Sequence, residues 1–263
     1  MDLQLTGKTA FISGSTQGIG YAAARMLARE GVAVTLHGRD GGKVAAAVAT
    51  LRQEVPGSAV DGATADLAEP ADVERLCTEL ADVDILINNA GMFDLRTFND
   101  ISVDEWRRYF EVNTLSGVAL ARRLMPAMLE RGWGRIVFIS SESGVNVPAD
   151  MIPYGASKAA MMAVGNGLAK LTRGTGVTVN SVLGGPTYSD GVARTVEGLA
   201  ASTGQPVEAM KQAIIGANST SLLQRFIEPD EIAAMVAFLA SPVAAATNGA
   251  AVRVDGGVLA TVV

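Results

Sequence analysis

Tyr154 and Lys158 stand four residues apart in Pro153-Tyr154-Gly155-Ala156-Ser157-Lys158. On a helix that spacing puts both side chains on one face. A free phenol titrates near pH 10 and is a poor base at neutral pH. A cation beside it favours the phenolate and lowers that value. The pair is therefore a usable acid–base unit, although solvated helix faces also carry Tyr and Lys for no chemical reason. Just upstream runs Ile139-Ser140-Ser141-Glu142-Ser143-Gly144. A second group has the makings of a nucleotide site: Ser13-Gly14-Ser15-Thr16-Gln17-Gly18-Ile19-Gly20. Its glycines fall as Gly-x3-Gly-x-Gly, not as the Gly-x-Gly-x-x-Gly of the standard dinucleotide fingerprint. The physical need is the same. A tight turn requires glycine, and a pyrophosphate lying on backbone leaves no room for side chains. The helix that follows offers free N–H groups and a positive dipole end. A purely structural turn would use glycines in the same way.

These residues need elements to hold them. Short β-rich runs at 9–13, 32–37, 59–65, 85–88, 135–140, 177–182 and 251–254 alternate with stretches of helical period. The helical stretches are 19–30, 42–54, 70–80, 103–130, 154–172 and 229–239. Such alternation means βαβ units and a parallel sheet. Apolar strands fit a sheet covered on both faces. The expected fold class is α/β, a doubly wound, Rossmann-type parallel sheet in a single domain spanning 1–263. The glycine turn then joins the first strand to the first helix. Asp66 follows the third strand, and Asn88-Asn89-Ala90-Gly91 follows the fourth. Small and polar residues at strand ends along one sheet edge suggest a shared ligand crevice. Arg39 lies nineteen residues after Gly20, where this fold places the group that reads the adenosine ribose. His37, the only histidine, has no evident catalytic partner and is expected to be structural. The segment 190–227 breaks the rhythm with four glycines and Pro206 and follows a strand end. A mobile lid is expected there, with an ordinary surface insertion as the alternative.

Composition narrows the function classes. At 49% apolar and 18% charged residues, the 263-residue chain is neither disordered nor short of core material. A net charge of -6 argues against nucleic acid, which needs a basic stripe, and against anionic lipid. Cys77 alone cannot form an intramolecular disulfide and is expected as a buried small residue on a helix. One His and one Cys cannot build a Cys/His zinc cage, so no metal is expected. The first eight residues lack a signal pattern, and no apolar run reaches the length of a membrane span. The expectation is a soluble, cytoplasmic protein.

Taken in order, 13–20, Asp66, 88–91, Asn113, Ser141, the Tyr154/Lys158 pair, Asn180, Gly185 and 253–257 resemble the short-chain dehydrogenase/reductase family. The similarity runs over essentially the whole chain, with Ser141 thirteen residues before Tyr154. The resemblance implies that Tyr154 exchanges a proton with the substrate oxygen. It implies that Lys158 lowers the tyrosine pKa and holds the nicotinamide ribose. Ser141 looks like the hydroxyl that binds the substrate carbonyl; Ser140 and Ser143 fit the spacing less well. Asn113 looks like the helix residue that keeps a water in the proton relay. The implied cofactor contacts are Gly14, Ser15, Thr16, Gln17, Gly18, Ile19, Gly20, Arg39, Asp66, Leu67, Asn89, Ala90, Gly91, Tyr154, Lys158, Gly185, Thr187 and Ser189. Ser189 falls where the family usually has a threonine touching the carboxamide. Two positions depart from the pattern: Ser13 replaces a common threonine, and Gly184 replaces the proline that usually precedes the glycine.

The function implied is hydride transfer between NADP(H) and a carbonyl or secondary alcohol. Gly38 stands where an NAD-reading carboxylate would be, and Arg39 suits a 2′-phosphate. Asp40 is the competing feature; turned inward, it would favour NAD. A dinucleotide-binding regulator without catalysis is the rival from another class, and epimerisation or dehydration is a third reading. Met92, Phe93, Val147, Met151 and Tyr188 are expected to face an uncharged or partly lipophilic substrate. Helix 154–172, apolar nearly all round through Ala156, residues 159–164 and Leu168, is expected to pack with helix 103–130 in a homodimer or homotetramer.

Overall fold

In the computed structural model, which describes residues 2–262, seven parallel strands form one sheet in the order β3-β2-β1-β4-β5-β6-β7. They are β1 (Thr9–Ile12), β2 (Ala33–Gly38), β3 (Val60–Thr64), β4 (Ile85–Asn88), β5 (Trp133–Ser141), β6 (Gly176–Gly184) and β7 (Ala251–Val254). Their side chains alternate between two cores, as the period of two demands. Ala10, Ile12, Ile85, Ile87, Val137 and Ile139 point to one face. Phe11, Leu86, Ile136 and Phe138 point to the other. On the first face lie α1 (Gly18–Arg29), α2 (Gly41–Glu54) and α9 (Pro229–Ala240). On the second lie α3 (Pro70–Glu79), α5 (Ser116–Arg131) and α6 (Ile152–Leu171). Strand order reverses between β1 and β4, which opens a crevice at the carboxyl ends of those strands.

The strands at 135–140 and 177–182 prove longer than their apolar runs. β5 and β6 pair over nine residues, from Trp133↔Gly176 to Ser141↔Gly184. Glycine and serine are poor strand formers, so this extension comes from the ladder and not from propensity. It carries Ser140 and Ser141 out to the crevice.

The expected continuous helix at 103–130 is instead interrupted. It consists of α4 (Val103–Phe110), one wide π turn (Glu111–Leu115), and then α5. Ser102 and Glu105 start α4 with a reciprocal capping box. Gly132, left-handed at φ 70°, stops α5. Asn113 sits inside the π turn, a feature that in helices often marks a functional site.

The 190–227 segment is more ordered than its composition suggests. It forms α7 (Asp190–Thr203) and α8 (Val207–Ala217), pinned by a small cluster of Val196, Ile215 and Phe226. Cys77 is only half-buried on α3, against the second core, and that burial pushes its thiol pKa up. On α6, Met161, Gly165 and Ala169 are buried, whereas Ala163, Asn166 and Gly167 are exposed. Among the described residues no helix is long and apolar enough to cross a membrane, and no His/Cys/Asp/Glu cluster is arranged to hold a metal.

Candidate active site

The glycine turn is braced from three sides. Gly14 and Gly18 adopt left-handed backbone at φ 62° and 60°. A Cβ on Gly20 would come within 2.4 Å of Asn89 Nδ2, so close helix–strand approach requires glycine there. Ser13 Oγ accepts hydrogen bonds from the backbone N–H groups of Asn89 and Ala90, each at 3.0 Å. The substitution of serine for threonine at this position therefore keeps its hydroxyl in use. Asn89 Nδ2 in turn donates to the carbonyls of Ser13 and Gly14. The Ser15 side chain points inward, donating to the Ile12 carbonyl and accepting from the His37 N–H. Only its backbone is left to face a ligand.

His37 does more than fill core. Its Nδ1 accepts the Gly14 N–H at 3.1 Å, so the imidazole holds the turn from below. An accepting Nδ1 assigns the remaining proton to Nε2. Burial pushes its pKa down to about 4, so it is neutral at pH 7. Its place at a strand end facing the glycine turn was the signal in the sequence.

At the start of α1, Gly18 N–H donates to Asp190 Oδ2 at 2.7 Å. A carboxylate oxygen from α7 thus sits at the helix N-terminus, the position suited to a phosphate oxygen. The turn accepts an anion, as a dinucleotide site must. Gln17 Oε1 accepts weakly from Arg194 at 3.4 Å. Thr16 Cγ2 would be 2.8 Å from a Cβ on Gly38. Asp40 is not turned inward: its carboxylate caps α2 by accepting Lys43 N–H at 3.0 Å. Arg39 is exposed and makes no ion pair among the described residues. Asp66 Oδ1 accepts from Ala68 N–H, and Leu67 is buried beside it.

The second constellation sits across the crevice. Ser140 Oγ is turned away and donates to the Lys158 carbonyl. Ser141 Oγ donates to the Glu142 carboxylate and accepts from the Ser143 N–H at 3.1 Å. α6 begins at Ile152, so Tyr154 and Lys158 occupy its first two turns. Lys158 Nζ donates to the Ile139 carbonyl at 2.8 Å and lies 5.6 Å from the centre of the Tyr154 ring. Burial pushes Lys158 down to about 8. It pushes Tyr154 up to about 12, a rise that the Ser141 hydroxyl opposes and the Glu142 charge reinforces. Desolvation is the largest influence on the phenol and acts against the lowering that a neighbouring cation would give.

Asn113 is anchored through its whole amide. Nδ2 donates to the Met92 carbonyl and to Ser157 Oγ, and Oδ1 accepts the Met92 N–H at 2.8 Å. What remains for a water is main chain within the π turn. The two constellations share a cavity of about 420 Å³ lined by Ile19, Asn89, Gly91, Ser141, Tyr154 and Lys158. Gly185, Thr187 and Ser189 line it from the end of β6, and Thr187 Oγ1 donates to the Gly185 carbonyl. Gly185 is required by close approach, since a Cβ there would lie 2.5 Å from the Asp255 carbonyl oxygen. Gly184 meets nothing closer than 3.5 Å.

Of the five residues expected to face a substrate, Phe93 and Met151 line the cavity. Met92, Val147 and Tyr188 do not; Val147 is exposed, and Tyr188 packs on Phe226 at 5.5 Å between ring centres. α7 and α8 supply apolar wall not expected from the sequence: Val192, Val196, Leu199 and Ile214. Nor was Glu142 expected, the one carboxylate in the lining. The signal was an acid placed directly after a strand-end serine.

Fold, glycine turn and Ser/Tyr/Lys cluster together define a nucleotide-dependent oxidoreductase of the α/β type. The profile of the short chain dehydrogenase family matches residues 8–200, and the chain belongs to that family. It is 43% identical to the uncharacterized oxidoreductase YvrD of Bacillus subtilis (strain 168), over 98% of this chain and 99% of that protein. It is 32% identical to D-beta-hydroxybutyrate dehydrogenase of Cupriavidus necator, over 96% and 98% of the two chains. The crystal structure of L-sorbose reductase from Gluconobacter frateurii, complexed with NADPH and L-sorbose, superposes with a TM-score of 0.92. That match covers all of both chains at 32% identity. The protein is an oxidoreductase of this family.

Proposed function

We propose that the chain transfers hydride between NADP(H) and a carbonyl or secondary-alcohol carbon, with Tyr154, Lys158, Ser141 and Asn113 as its working groups. One observation carries the reading. The Ser141 hydroxyl, the Tyr154 phenol and the Lys158 ammonium line one cavity next to a turn that already holds an anionic oxygen. A nicotinamide dinucleotide supplies the hydride when bound. In the reducing direction, Tyr154, neutral at pH 7, gives its proton to the substrate oxygen. Ser141 Oγ, its proton turned from Glu142, donates to the same oxygen and stabilises its developing charge. Lys158 brings positive charge to the phenol as it loses that proton. The main chain around Asn113 holds the water that returns it. Residues 190–227 act as the lid, with α7 and α8 closing an apolar wall that keeps bulk water from the reacting carbon. The related structure that holds NADPH and L-sorbose, and the hydroxybutyrate dehydrogenase, both have names describing this class of chemistry.

The preference for NADP rests on three neighbouring residues. Gly38 offers no carboxylate to repel a 2′-phosphate. Asp40 is spent on capping α2. Arg39 is left unpaired, and its planar guanidinium suits a phosphate. The test is kcat/KM for NADPH and NADH against a panel of ketones, on wild type and Arg39→Ala. Wild type should prefer NADPH, and the variant should lose about tenfold of that preference, the value of roughly one charge-assisted contact. A wild type that prefers NADH, or an unchanged ratio in the variant, overturns the assignment.

A further inference from the structure

We propose that Glu142 reads a hydroxyl on the carbon next to the reacting one, so that the substrate pair is an α-hydroxy ketone and its vicinal diol. This rests on the reading that Ser141 and Tyr154 bind the reacting oxygen. Glu142 follows Ser141 directly, at the exit of β5. Its Oε2 is held by the hydroxyls of Ser141 and Ser143 and by the Ser143 N–H. No cation pairs with it among the described residues, because Lys158 Nζ is turned to the Ile139 carbonyl. Its other oxygen, Oε1, accepts no hydrogen bond from any described residue, yet it is not among the sealed, unpartnered polar atoms of the interior. It therefore keeps contact with solvent, and Glu142 is one of the residues that line the cavity. Around it the wall is apolar: Phe93, Leu95, Met151, Val196, Ile214 and Phe226.

A half-buried carboxylate oxygen in an apolar wall accepts hydrogen bonds and gives none. Leaving it unmatched against a bound apolar ligand costs the desolvation of a charged acceptor. The ligand that suits it brings an O–H donor. Position decides where that donor is. Glu142 Oε2 accepts the Ser141 hydroxyl, which must turn from it to reach the reacting oxygen, so the carboxylate is the polar group of the lining next to that oxygen. A hydroxyl on the adjacent carbon reaches it. The rest of the molecule meets hydrocarbon.

The experiment compares α-hydroxyacetophenone with acetophenone, which differ only in that hydroxyl, on wild type, Glu142→Leu and Glu142→Gln. Wild type should favour the hydroxy ketone in kcat/KM, by about 10- to 100-fold for a hydrogen bond to a charged group. In Glu142→Leu that ratio should collapse toward one. Glu142→Gln should recover part of it. Its carbonyl can take the two Ser143 donors at the Oε2 position, and its amide N–H can reach the substrate hydroxyl. If Glu142 only positions Ser141, both ketones fall together and the ratio stays put, which overturns the proposal. So does a wild type indifferent to the hydroxyl. A readout independent of turnover is the Tm shift given by phenylethanediol against phenylethanol, with NADP present. A diol-specific shift lost in Glu142→Leu supports the reader even if neither ketone is reduced, an outcome that would instead sink the hydride-transfer reading. No shift for either compound and no turnover overturns both.

Discussion

The cofactor end and the substrate end of this crevice are built on opposite plans. At the glycine turn the backbone itself is the working surface, and side chains serve only to hold it. Ser13, Asn89 and Ser15, and His37 through Nδ1, bond the main chain of the turn or of the strands beside it. Across the crevice the main chain is a support and the side chains do the work. Ser141, Glu142, Tyr154 and Lys158 line a largely apolar cavity that α7 and α8 also wall, and the cluster holding those two helices is small. Leu222, 81% exposed, and Leu223 at the end of the lid lie largely open to solvent. The pyrophosphate is common to all nicotinamide dinucleotides, so a braced backbone suffices for it. Substrates differ, and a wall of exchangeable side chains is where that difference can be written.

The largest test of this contrast is at the chemical step. Tyr154→Phe removes one oxygen and should fold and bind cofactor normally. Turnover should fall by about 10²–10⁴-fold, the usual worth of a positioned acid–base group. Stopped turnover with unchanged cofactor affinity separates the two ends; near-native kcat would mean that another group moves the proton.

The next effect is on stability and belongs to the cofactor end. His37 is buried and neutral, with a pKa near 4 in the fold against about 6.5 in the unfolded chain. Between those values the unfolded state binds a proton that the native state refuses. Stability is thus intact above about pH 6.5 and declines as pH falls toward 4, by up to roughly 3 kcal/mol. His37→Asn keeps an acceptor for the Gly14 N–H and removes the titration. Urea midpoints at pH 7 and pH 5 should differ less in the variant than in wild type. Equal pH slopes would show that His37 is not the group responsible.

The smallest effect lies where the two ends touch. Asp190, on the lid, holds the Gly18 N–H that a pyrophosphate would take. A bound cofactor must displace it, so Asp190→Ala should tighten NADP binding by about two- to fivefold, the scale of an exposed charge at a helix N-terminus. Calorimetric titration of both proteins decides it; weaker binding in the variant would mean that Asp190 helps the cofactor.

Much of this molecule was legible in one dimension. The strand and helix series, the glycine turn and the Tyr154/Lys158 pair follow from local rules, and those rules are periodic. Interruption of the 103–130 helix was not legible, because a π turn leaves the apolar period almost unchanged while shifting the ladder by one residue. The role of His37 was missed for a related reason. Its partner, Gly14, lies 23 residues away and meets it only once β1 and β2 pair.

Fold class was thus determined by the sequence itself, and the groups proposed to do the work were named from it, since hydrophobic period and residue chemistry are properties of short stretches. Tertiary structure decided the electrostatics and the address of each group. It set Tyr154 near 12 and Lys158 near 8, where spacing alone pointed the phenol the other way, because desolvation depends on everything that surrounds a side chain. It also assigned Asp40 to a helix cap, left Arg39 without an ion pair among the described residues, and put Glu142 in the cavity lining. Each of those outcomes is a competition among partners brought together by the sheet, and no stretch of sequence contains both competitors.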